Sequence, residues 1–100
     1  PEIQTLELNS DVMSVVAVTS KILEESGMEV VNIDPELGIV EATATTFWFG
    51  FKDDVVVRIR PTRSGSKVDV RSVSRVGQSD LGANAARIMG ILTALSSAQI

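Results

Sequence analysis

The sequence predicts an α+β fold in the order β-α-β-β-β-β-α, an antiparallel sheet of four to five strands with two helices on one face. Three observations predict it. Apolar residues recur at helical spacing in one stretch near each end, they recur at every second residue between those stretches, and Pro, Gly and Asp clusters punctuate the middle. A length of 100 residues suits one domain, 1–100, with a single core.

The elements follow in order. Residues from Ile3 to Leu8 alternate, with Gln4, Leu6 and Leu8 on one side, and read as an edge strand. Asn9, Ser10 and Asp11 offer side-chain oxygens to the free N–H groups of a first helical turn. Val12, Val15, Val16, Thr19, Ile22 and Leu23 form one apolar stripe, and Gly27 stops a helix running from about Asp11 to Ser26. Its many β-branched residues make it depend on packing against a sheet.

At Met28 the period falls to two. A strand from Met28 to Ile33 leads into the turn Asp34-Pro35-Glu36-Leu37-Gly38. The next strand, Ile39 to Thr46, sets Val40, Ala42 and Ala44 against Glu41, Thr43 and Thr45. Lys52-Asp53-Asp54 reads as a turn. From Val55 to Arg60, Val55, Val57 and Ile59 point inward while Val56, Arg58 and Arg60 point outward, and Pro61 ends the strand.

A hairpin loop, Thr62 to Ser66, brings back Lys67 to Arg75, with Val68, Val70, Ser72 and Ser74 inward. Matching valines to valines places Asp69 opposite Arg58 or Arg60, a cross-strand pair worth about 0.2–1 kcal/mol. The last helix starts at Ser79 or Asp80, both good N-caps. Its stripe is Leu81, Ala85, Ile88, Leu92 and Leu95, and small residues at Ala83, Ala86, Gly90 and Ala94 allow close approach.

Composition excludes much chemistry. With no cysteine and no histidine there is no disulfide, no thiolate nucleophile, no imidazole base and no Cys/His metal site. The reading is therefore not an enzyme, with no cofactor and no metal. Serines without histidine and the adjacent, diverging Asp53 and Asp54 leave hydrolase activity in third place. A net charge of −4 argues against a general nucleic-acid partner. No apolar run approaches the ~20 residues of a membrane span. The opening at Pro1 suggests an upstream segment removed or lying outside this stretch.

The residues from Thr45 to Arg58 (TTFWFGFKDDVVVR) and from Asp69 to Ile88 (DVRSVSRVGQSDLGANAARI) resemble the two signature blocks of domain-of-unknown-function family 1499. The resemblance implies bacterial and plastid proteins, often with an N-terminal signal or membrane segment and no established catalytic residues. It implies a cell-envelope location, periplasmic or plastid-lumen-like.

Three constellations could carry function. The aromatics Phe47, Trp48, Phe49 and Phe51 lie together, with Gly50 allowing a bend. Alternation puts Trp48 inward, as a structural residue, and Phe47 and Phe49 on the open face. They either cap one end of the core or form a partner or membrane-interface patch. Arg58, Arg60, Arg71 and Arg75 share the outer face of two adjacent strands. They are either a solvated face balanced by Asp69 and Glu41, or an anion or lipid-headgroup site. The junction at Ser79 and Asp80 is a helix cap first and an anion site second. Asn84 and Arg87 are expected to lock the last helix through hydrogen bonds to strand or loop backbone, with Asp53 or Asp54 as ionic partner.

The expectation is a helix-grip-like interaction domain. It would dock through Phe47, Phe49, Phe51, Val56 and the arginines onto a membrane protein or larger assembly, with a homodimer through the edge strand open. The alternative is a carrier of an amphipathic ligand or lipid between sheet and long helix.

Overall fold

Valine and alanine at every second position of the central strands give the sheet one apolar side, and both helices lie on it. The computed structural model describes residues 2–45, 52–74 and 81–98. The elements are β1 (Glu2–Leu8), α1 (Val12–Glu25), β2 (Glu29–Asp34), β3 (Ile39–Thr45), β4 (Lys52–Pro61), β5 (Ser66–Ser74) and α2 (Leu81–Ser97). The sheet has five strands in the order β1-β5-β4-β3-β2, and each neighbouring pair is antiparallel. β1 and β2 are its two edges.

Val40, Ala42 and Ala44 of β3, Val55, Val57 and Ile59 of β4, and Val68 and Val70 of β5 form one core with helix residues. α1 contributes Val15, Val16 and Leu23; α2 contributes Ile88, Ile91, Leu92 and Leu95. Truncating a fully buried leucine such as Leu95 in a core of this kind costs about 2–5 kcal/mol. Ile91, outside the predicted stripe, widens the buried face of α2.

The α1 boundaries match the sequence signals, but the cap works differently from expectation. Asp11 is the N-cap residue and its carbonyl accepts from the Val15 N–H. Its carboxylate takes the Ser14 hydroxyl at 2.5 Å instead of a backbone N–H. At the other end Gly27 has φ +86°, and the Met28 N–H returns to the Leu23 carbonyl, which terminates the helix.

The β2–β3 turn is fixed at both ends. The Asp34 carboxylate accepts the Leu37 N–H at 3.1 Å. Gly38 has φ +69°, and a Cβ there would stand 1.9 Å from the Ile59 carbonyl oxygen. Its own carbonyl accepts the Ile59 N–H at 2.6 Å, so the turn is stitched onto β4. On the far side, the buried Ser66 hydroxyl donates to the Ser10 carbonyl at 2.5 Å and ties the β4–β5 hairpin to the β1–α1 turn.

Two expectations need correction. Lys52, Asp53 and Asp54 are not a turn but the start of β4, paired in register with Thr45, Ala44 and Thr43. The inward Asp53 is neutralised, as shown below, so its charge does not break the strand. Second, β2 carries a bulge between Val30 and Asn32, which leaves Val31 as an extra, exposed residue on the edge. Trp48, the other aromatics of residues 46–51, Arg75 and the Ser79–Asp80 cap lie outside the described residues.

Among the described residues the core contains one polar misfit. Thr19 is fully buried in α1, and its hydroxyl has no hydrogen-bond partner among the described residues. Thr19→Val removes that group at nearly constant shape and is expected to leave stability unchanged or raise it by about 1 kcal/mol in urea unfolding. Gly38→Ala places a methyl against the Ile59 carbonyl at positive φ, and the same measurement should show a loss of about 1–3 kcal/mol.

Candidate functional site

Two polar constellations stand out, one on each side of the sheet. The first lies inside. Along β4 and β5 the inward rows run Ile59 with Val68, Val57 with Val70, Val55 with Ser72 and Asp53 with Ser74, so the core turns polar at one end. α2 meets that end with Asn84 and Arg87, three residues apart on one helical face.

Arg87 Nη1 donates to Asp53 Oδ2 at 2.8 Å, to Asn84 Oδ1 at 3.0 Å and to Ser72 Oγ at 3.1 Å. Two hydrogens serve three oxygens, so one bond is shared. The Ser72 hydroxyl donates to Asn84 Oδ1 at 2.6 Å, and Asn84 Nδ2 reaches Ser74 Oγ at 3.2 Å. Asp53, Ser72 and Asn84 are buried. The ionic partner anticipated for Arg87 is present, and it is Asp53. Among the described residues the bonds of Asn84 and Arg87 run to side chains, since the strand offers serines at that depth; the loop that precedes α2 lies outside those residues. Each polar group has a partner, and this arrangement clamps α2 to β4 and β5.

The second constellation lies on the open face. Register places Asn32, Glu41, Val56 and Arg71 in one row across β2, β3, β4 and β5. The next row is Asp34, Ile39, Arg58 and Asp69. In each row an aliphatic residue separates an acid on the β2–β3 side from an arginine on the β4–β5 side. Together with Leu37 these residues line an open hollow of about 500 Å³.

The charges there are unevenly matched. Asp69 lies opposite Arg58 in register, as one of the two expected alternatives had it, yet its ion pair is with Arg60 at 2.5 Å. The other Asp69 oxygen accepts the Thr5 hydroxyl at 2.7 Å, so both oxygens already have donors. Glu41 accepts the Asn32 amide at 2.8 Å. Arg58 and Arg71, both exposed, have no ion-pair partner among the described residues.

Of the anticipated docking residues, the structure brings Val56, Arg58 and Arg71 together around the hollow. Arg60 shares their face but is engaged by Asp69. Phe47, Phe49, Phe51 and Arg75 fall outside the described residues. Sequence reasoning set Glu41 against the arginines of this face but missed Asp34 in the acidic wall of the hollow, and the part of Ser72 and Ser74 in the inner network. The alternation of β3 signalled Glu41; nothing signalled that the bulge would bring Asn32 into its row. Among the described residues no group of three or more acidic side chains is placed to hold a metal ion, and no helix is long and apolar enough to cross a membrane.

The two constellations should separate in a double-mutant cycle. Asp53→Ala and Arg87→Ala are each expected to destabilise strongly, with a coupling of about 0.5–3 kcal/mol in chemical denaturation. Arg58→Ala and Arg71→Ala should stay within about 0.5 kcal/mol of the parent.

Among curated proteins no match to the chain is found. A family model, described as a protein of unknown function, DUF1499, matches residues 1–95. By that match along nearly its whole length, the chain belongs to the DUF1499 family.

Proposed function

We propose that this protein is a non-catalytic docking module of a membrane-associated assembly in the cell envelope, in a periplasmic or plastid-lumen-like compartment. It engages a membrane protein or larger complex through the open face of its sheet. One observation carries the reading: Arg58 and Arg71 are exposed on adjacent strands at the hollow and have no carboxylate of their own among the described residues, while Arg60 and Arg87 do. Such guanidinium forks suit an acidic group on a partner, and the aliphatic floor of Ile39 and Val56 supplies area to bury around it.

The carrier reading has less support. The space between sheet and helices is occupied by Val15, Leu23, Val57, Val70, Ile88 and Leu95, each fully buried. Hydrolysis stays third, since the sequence has neither histidine nor cysteine.

The test is recovery of partners from a native membrane fraction with the parent protein, an Arg58→Glu, Arg71→Glu variant and an Arg63→Glu control. Arg63 is exposed in the β4–β5 turn, away from the hollow. Defined proteins retained by the parent and control but lost from the double variant are the expected result. Equal retention by all three overturns the open-face reading.

A further inference from the structure

We infer that the hollow on the open face is a two-signed site for a zwitterionic ligand, one that joins an oxyanion to a primary ammonium group through a short aliphatic link. This rests on the reading of the open face as the binding face and names the chemistry it takes.

The argument begins with the two rows. Glu41, Val56 and Arg71 succeed one another on β3, β4 and β5, and Asp34, Ile39 and Arg58 on β2, β3 and β4. Both rows have the same sense: acid, aliphatic, base. Neighbouring strands stand about 4.8 Å apart, so acid and arginine in each row are about 10 Å apart at the backbone. No ion pair joins them among the described residues. A sheet face that needed only solubility could neutralise these charges against each other. Here both signs stay open toward one hollow.

The remaining charges are accounted for. Asp69, between the arginines and β1, is taken up by Arg60 and Thr5. Glu41 holds Asn32 through Oε2 and Asp34 holds the Leu37 N–H through Oδ1, and among the described residues the second oxygen of each carboxylate is left for a ligand donor. A simple anion would meet the arginines but face two carboxylates across the hollow. A ligand with both charges satisfies the two sides at once, and its linking methylenes lie over Val56 and Ile39. A volume of about 500 Å³ is within the range of small-ligand sites. A phospholipid headgroup with a primary amine and a free amino-phosphate share this chemistry.

The probes are O-phosphoethanolamine, inorganic phosphate, and vesicles of phosphatidylcholine with or without phosphatidylethanolamine. Binding is followed through backbone amide NMR shifts of Glu41, Arg58 and Arg71 and through vesicle co-sedimentation. The expected result is that phosphoethanolamine binds about tenfold more tightly than phosphate, equivalent to about 1.4 kcal/mol. Glu41→Gln should abolish that advantage and leave phosphate binding intact; Gln keeps an acceptor for Asn32, so the fold is preserved. Arg58→Gln with Arg71→Gln should remove binding of both.

Binding of the soluble probe without added retention on phosphatidylethanolamine vesicles assigns the site to a free ligand. Retention that depends on that lipid and on both arginines assigns it to a headgroup. Equal affinity for phosphate and phosphoethanolamine overturns the zwitterion inference while leaving a docking face that takes anions. No shift at these amides and no lipid-dependent retention also overturns it, and the docking reading then stands or falls on partner recovery.

Discussion

An alternating apolar pattern on three adjacent strands commits one side of this sheet to two helices and the other to water. The helices must cross the same side, because only there does the sheet offer valine and alanine in continuous rows. Charged residues at the intervening positions are thereby gathered on the opposite side without any element devoted to placing them. The open face is thus a by-product of how the core is built, and its charges are free to be used.

The polar end of the core belongs to the same logic. Where β4 and β5 run out of valines, the inward positions become Asp53, Ser72 and Ser74, and α2 answers with Asn84 and Arg87. A buried carboxylate alone would be costly, and a well-packed apolar residue could fill its place at equal or better stability. What the network adds is directionality. It accepts α2 at one height and one rotation, since Asn84 and Arg87 must both reach the serines.

Much of this architecture is legible in the sequence, and the reasons differ by element. The α1 stripe, its Gly27 stop and the inward valines of β4 and β5 follow from periodicity, which burial enforces directly. The start of β4 was hidden because three polar residues imitate a turn unless the partner of Asp53 is known, and that partner lies 34 positions away. Which arginine Asp69 would choose was equally hidden. Register places Arg58 opposite, but a long side chain reaches diagonally, and Arg60 takes the carboxylate. The arginines of the hollow and Glu41 were legible from strand alternation, while Asp34 required knowing that β2 and β3 sit beside β4 in a fixed register.

The bulge in β2 has a bearing beyond local geometry. Val31 and Ile33 are 58% and 46% exposed on an edge that no further strand pairs with among the described residues. A regular edge with such side chains would be a template on which a second chain could lay down a strand, and a third on that. The extra residue at Val31 throws the alternation out of step midway. An incoming strand that matches one half of β2 presents the wrong side chains to the other. A single inserted residue thus works against sheet growth from this edge, on the very stretch where apolar side chains face water.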